Sequence, residues 1–409
     1  MLQSAYAIAC FLLVYLVTRV CCHIALRPWR ASAGQHWTQR ARLLFSGRLT
    51  AAYCLLTLPV DAYCCAKLIN AHDHDLPTPI SAWAVSFAAV AAVILACESV
   101  SREIRPGNRF GQFFRSTASI VLLRYLSIVA ILAATAIMPW HFGIVAWVIA
   151  AVTVAALIAM QYGLTVNIMS RLGILKPADP DLQQLVDDTS RKMGIAVRHT
   201  WILPNTAATA LALVTTRDIV FTSALLTHLP GEQIAAICAH ELGHLSEPPH
   251  VRRRRQLSAF LFFPLIFLWP TIALGNRFLL YFAAWLFIVS LLRSQLGGMA
   301  RQMEIRADQL AGAAVNNPAV LARALERLYE VNQMPAVIGR RRSVHPPLYD
   351  RMTAAGIVPD YARPLPPKQR SVLDIALLAI LVILITAQFA TAGGPWPRKS
   401  QDASQYQSR

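Results

Sequence analysis

The chain has 409 residues, 56% of them hydrophobic and only 14% charged, with a mean hydropathy of +0.46. A soluble globular chain is nearer 25% charged, so the composition excludes an ordinary soluble protein and places part of the chain in lipid. The formal net charge of +17 fits either a nucleic-acid binder or a membrane protein whose Arg and Lys crowd the cytoplasmic loops. The distribution of those residues along the chain decides between the two.

A membrane-spanning helix needs about 20 mostly apolar residues. Such stretches cover residues 5–22, 50–69, 80–97, 119–139, 142–162, 257–274, 278–292 and 372–391. The first lacks a basic leading region and a clear small-residue cleavage site, so it reads as a retained span and not as a secretory signal. Between the first two spans lie Arg27, Arg30, Arg40, Arg42 and Arg48; between the third and fourth lie Arg102, Arg105, Arg109 and Arg115. Arg171, Lys176, Arg191 and Lys192 follow the fifth. The intervening connections, at residues 70–75 and at Trp140 and His141, carry no Arg or Lys. The positive-inside rule then makes the basic loops cytoplasmic and puts both termini on the opposite side. Segments 165–255 and 297–370 fall in the cytoplasm. This alternation accounts for the positive charge without nucleic acid. Asp61 and Arg124 lie within spans, where a charge is costly; they face a cavity, sit near an interface or pair with each other. No two of the eight cysteines form a C-x-x-C pair, so neither a disulfide framework nor a thiolate zinc site is expected.

Two polar segments interrupt the apolar ones. In the first, residues 180–194 read as an amphipathic helix ending at Gly194. Residues 200–203, 209–214 and 218–221 are β-branched or apolar runs, and the last two are expected to form a hairpin. Pro230, Gly231 and Glu232 start the next helix, and Pro248 and Pro249 end it. The run Arg252 to Arg255 reads as a juxtamembrane anchor. In the second segment, residues 299–315 and 318–330 are helical and 335–347 are loop. The polar stretch after Gly393 reads as a disordered tail.

The helix after Pro230 carries His240, Glu241, Leu242, Gly243 and His244. Residues four apart share a helix face, so the two imidazoles can hold one metal ion beside the Glu241 carboxylate, as in zinc hydrolases. With 11 His and 21 Asp plus Glu in 409 residues, this pattern is expected by chance roughly 0.015 times. Spacing turns Cys238 away from the ligand face. A catalytic zinc takes a third protein ligand. His250 has the spacing found in metzincins, but Glu247 stands where that motif needs glycine and two prolines follow. Glu304 is favoured instead, with Asp308 one turn on and placed to accept a ligand imidazole's other N–H.

At these residues the chain resembles the integral-membrane gluzincin peptidases that include the CAAX prenyl endopeptidase and the heat-shock protease HtpX. That family carries H-E-x-x-H, then E-x-x-A-D on a later helix, then Ser/Thr-x-His-Pro-Pro with an Arg six residues after its His. Here these are His240 to His244, Glu304 to Asp308, and Ser343, Val344, His345, Pro346 and Pro347 with Arg351. The resemblance covers roughly residues 179–352. It implies one Zn²⁺ held by His240, His244 and Glu304, with Glu241 as the base and His345 and Arg351 on the oxyanion. It also implies that Asn205, after Pro204, lies on an edge strand facing the substrate.

The expected architecture is therefore a mainly α membrane protein. About eight transmembrane helices carry a cytoplasmic α+β zinc protease domain, split by two of them. Residues 1–164 form the N-terminal membrane region and 165–256 the first part of the protease domain. Residues 257–294 form a two-span hairpin, 295–371 the second part, 372–392 the last span and 393–409 the tail. The expected function is a zinc metalloendopeptidase acting on peptide or protein substrates at the bilayer, in the inner membrane of a bacterium. The rival readings are a catalytically silent membrane sensor or scaffold, and a transporter, for which no repeat symmetry is visible. A site-2-type intramembrane protease is also weighed, but it would need the motif inside a lipid-spanning helix, and the neighbours of this one are too polar.

Overall fold

The computed structural model describes residues 2–72, 81–105, 109–274, 277–339 and 345–391. Ser343, Val344 and the tail after Gly393 lie outside them. The chain opens with five long helices: α1 (Leu2–Arg30), α2 (Trp37–His72), α3 (Ala82–Ile104), α4 (Phe110–Ile137) and α5 (Ile144–Gln161). The basic residues expected in the first loop sit on helix instead: Arg27 and Arg30 end α1, and Arg40, Arg42 and Arg48 lie on α2. These helices run on past their apolar cores as basic ends. Val14, Cys54, Ala89 and Val93 form the small-residue core of an α1–α2–α3 bundle, joined by Leu377 from the last helix.

A short α6 (Leu164–Arg171) leads into a mixed layer: β1 (Lys176–Pro177), α7 (Pro180–Met193), β2 (Thr200–Leu203), β3 (Ala210–Leu213) and β4 (Asp218–Thr222). Asp179 caps α7 by accepting from Leu182 N–H, and Gly194 ends it at φ +66°, a backbone state that glycine adopts without strain. The sheet order is β1-β2-β4-β3. β3 and β4 are antiparallel, with Ala210 opposite Phe221, as the hairpin pattern predicts. β2 runs parallel to β4. β3 is thus an edge strand.

The helices α8 (Ser223–His228) and α9 (Gly231–Leu245) follow. One sheet face, with Ile219 and Phe221, packs against α7 and α9 in the main core. The other face, with Leu203 and Val220, rests on Val166 and Met169 of α6 and on Leu122 and Leu123 of α4. Helix α4 therefore serves two neighbours. Its first half lies against the sheet, and its second half, through Ile131 and Ala134, packs on α5 and Ile266.

The sixth apolar stretch is not one helix. It comprises α10 (Pro249–Ser258), a 3-10 turn at Phe263–Phe267 and α11 (Leu268–Ile272). Pro264 and Pro270 each remove a backbone donor and crowd the preceding turn, which interrupts the helix. The next two expected segments, by contrast, fuse: α12 (Arg277–Ala314) runs unbroken from the seventh apolar stretch through Glu304 and Asp308. Then come α13 (Pro318–Val331), α14 (Leu348–Ala354) and α15 (Val372–Thr391). By length and composition, seven stretches among the described residues suffice to cross a membrane, and residues 372–388 form a shorter apolar helix.

Candidate metal centre

Helix α9 is apolar on nearly every side: Ile234, Ile237, Cys238, Leu242 and Leu245 are all buried. It is packed by α7, α12, α13 and β3. Cys238 points into that core, and burial pushes its thiol pKa up to about 12, which makes it an inert small hydrophobe. His240 and His244 are the polar exceptions, 6% and 8% exposed. Their rings stand 4.9 Å apart between centroids and nearly perpendicular, at 84°.

The third group comes from α12. Glu304, 5% exposed, lies 3.7 Å from His240 Nε2 through Oε2 and 3.4 Å from His244 Nε2 through Oε1. One ligand atom from each of the three residues lies within 4.8 Å of the others. This approach depends on Gly243, inside the H-E-x-x-H motif. A Cβ added at Gly243 would sit 2.9 Å from Ala307 Cα and 3.1 Å from its Cβ. Only glycine facing alanine lets the α9 and α12 backbones come close enough to set Glu304 beside the two imidazoles.

Each imidazole has a carboxylate behind it. His240 Nδ1 lies 2.9 Å from Asp308 Oδ1. Asp308 is gripped in turn by Arg351, with Nε 2.8 Å from Oδ2 and Nη2 on Oδ1. Burial disfavours the Arg351 cation, but Asp308 outweighs that and raises its pKa. Arg351 thus reaches the centre through Asp308. His244 Nδ1 lies 3.0 Å from Glu247 Oε1, and Arg255 Nη2 donates to the same oxygen at 2.7 Å. Glu247 stands three residues after His244, and that spacing is the sequence signal for this contact. Burial pulls the His244 pKa down, but Glu247 and Glu304 together lift it to about 10. The pocket therefore attracts positive charge. Two imidazoles and a buried carboxylate, converging with oriented partners behind them, are the donor set that suits a zinc ion.

Glu241 faces the same cleft, and its Oε2 accepts the Ala212 N–H of β3 at 2.7 Å. The cleft, of about 700 Å³, runs between β3 and α13 and includes His345 and Arg351. His345 Nδ1 lies 2.8 Å from Glu304 Oε2 while more than half of its side chain is exposed. One expected position differs. Asn205 stands in the β2–β3 connection and not on the edge strand: Nδ2 donates to Ser116 O and Oδ1 accepts from Ala207 N–H. The disfavoured His250 sits exposed on α10 beside a separate cavity. Asp61 and Arg124 do not pair. Both Asp61 carboxylate oxygens are buried without a hydrogen bond among the described residues, and Arg124 lines the cleft.

No curated protein matches the chain. Residues 177–356, the stretch that holds His240, Glu241, His244, Glu304, His345 and Arg351, match the model of peptidase family M48, and that similarity supports placing this segment among the M48 metallopeptidases.

Proposed function

We propose that the chain is a membrane-embedded zinc metalloendopeptidase of the HtpX and CAAX-endopeptidase type. It binds one zinc per chain and hydrolyses peptide bonds of membrane-associated proteins, prenylated or misfolded ones included, on the cytoplasmic face. The observation that carries this reading is the convergence of His240, His244 and Glu304 beside Glu241 in one cleft.

His240 and His244, as neutral imidazoles, and the Glu304 carboxylate would hold the ion. Zinc, when bound, lowers the pKa of a coordinated water to about 7 and polarises a carbonyl oxygen. The chain's own residues supply the rest. Ala212 N–H fixes one oxygen of Glu241 and leaves the other to take a proton from the attacking water and return it to the leaving amine, typically worth 10²–10⁴-fold. His345 stands at the mouth of the cleft to donate to the developing oxyanion. Arg351 holds Asp308, which orients His240. The substrate adds as an extended strand to the β3 edge.

Full-length protein should contain one zinc, lose proteolysis on chelation and regain it on zinc addition. Glu304→Ala should lose both zinc and cleavage. Proteolysis that survives in zinc-free protein overturns the reading, and a zinc-free wild type supports the silent scaffold.

A further inference from the structure

The catalytic cleft does not stop at the metal centre. Past Ala212 it continues into a second cavity of about 440 Å³, walled by α4, α6, the β3–β4 turn and α10. The two spaces share Leu123, Arg124, Ala212, Leu213 and Arg255, so a strand paired along β3 leads from one into the other. Three arginines line the second cavity: Arg124, Arg252 and Arg255. No Asp or Glu does, among the described residues.

These arginines are not equivalent. Arg255 is engaged by Glu247 at 2.7 Å. Arg124 and Arg252 have no side-chain hydrogen bond or ion pair among the described residues. The other cleft arginines are all taken: Arg48 donates to the Asn332 and Gln333 carbonyls, Arg105 to Thr206 O and Arg351 to Asp308. Arg124 lies halfway along α4, a helix long and apolar enough to span a bilayer, where an unpaired guanidinium is costly unless it faces water or a ligand.

We infer that this cavity is a specificity subsite for a substrate carboxylate, with Arg124 as its selecting residue and Arg252 as its support. The inference rests on the protease reading above. It adds a substrate class: peptides bearing an acidic side chain a few residues from the scissile bond. Guanidinium and carboxylate match as a planar fork, and a hydrogen bond to a charged group is worth about 1.5–3 kcal/mol, or at least a tenfold preference. A lipid phosphate is a competing occupant of such a site, and the peptide is favoured because the cavity is continuous with the cleft along β3.

The test uses full-length protein in zwitterionic nanodiscs and matched fluorogenic peptides. They carry Asp, Asn or Lys at successive positions around the cleavage site, each with a free or amidated C-terminus. Wild type should prefer Asp over Asn at one position about tenfold in kcat/KM. A preference for free-acid over amidated peptides, with no preference for Asp over Asn, overturns the side-chain reading. Arg124→Glu should invert the order in favour of Lys. The ratio of two peptides on one preparation is independent of the fraction folded. Should Arg124→Glu not accumulate, Arg252→Gln should reduce the same ratio. Fluorescence anisotropy with Glu241→Gln reads binding without chemistry: preferential binding of acidic peptides there, with no cleavage by wild type, would keep the subsite and remove the protease. Identical ratios in wild type and Arg124→Glu overturn the proposal. So does an Arg124 effect that follows the phosphatidylglycerol content of the disc and not the peptide charge.

Discussion

At the scale of single residues, the centre depends on side chains that touch no metal. Gly243 is the clearest. Replacing it with Ala forces a methyl against the Ala307 backbone, and overpacking of this kind typically costs about 1–3 kcal/mol. Gly243→Ala should therefore lower the thermal midpoint. It should also weaken zinc binding, because relief of the clash moves α12 and with it Glu304; unchanged zinc affinity by competitive chelation would show that α12 is not positioned by this contact. Asp308→Asn removes the charge behind His240 and leaves the Arg351 guanidinium, 9% exposed, without its counter-ion. Losing such an orienting partner typically costs 10–100-fold in metal affinity, so a titration should show weakening in that range. His240, His244 and Glu304, the groups that converge in the cleft, were legible in the sequence, because H-E-x-x-H and E-x-x-A-D are local patterns set by helix periodicity. Gly243, Glu247 and Arg255 were not read as part of the centre. Their contacts depend on how closely two distant helices approach, and no local spacing encodes that distance.

At the scale of elements, one residue ties three parts of the fold together. Asn332, which caps α13, donates from Nδ2 to Ala208 O at 2.6 Å and accepts from Ala208 N–H at 3.0 Å. It thereby holds the start of the edge strand as a neighbouring strand would. Its backbone carbonyl accepts from Arg48 of α2, and Arg105 beside α3 reaches its Oδ1 at 3.4 Å. Asn332 thus links α2 and α3 to the start of the edge strand. Asn332→Ala leaves buried polar groups unpaired at about 1–3 kcal/mol each. It should increase hydrogen exchange at residues 207–212 before exchange at α9 changes; protection of β3 equal to wild type would refute this role. Helix starts and stops were well marked by Gly194, Pro230 and Pro318. The sixth apolar stretch remains long and apolar enough to cross a membrane, but its breaks at Pro264 and Pro270 were not read because hydropathy averages over them. The fusion into α12 was missed because an apolar-to-polar change was taken as a boundary. A helix crosses such a change freely when its hydrogen bonds stay internal.

At the scale of the whole molecule, the design is a buried, helix-framed centre opened by one edge strand. The long helices bear on it from both ends of β3: α2 and α3 through Arg48 and Arg105, and α4 through Leu123 and Arg124. This arrangement accounts for helices that composition alone assigns only to anchorage. The most direct check is a paired measurement on purified full-length wild type and Glu241→Gln, reading zinc content and cleavage of an unfolded model protein on the same samples. One zinc per chain in both, with cleavage lowered at least about 10²-fold in the variant, is the expected result. Equal cleavage by the two proteins, or cleavage with no zinc bound, would contradict the assignment of His240, His244, Glu304 and Glu241.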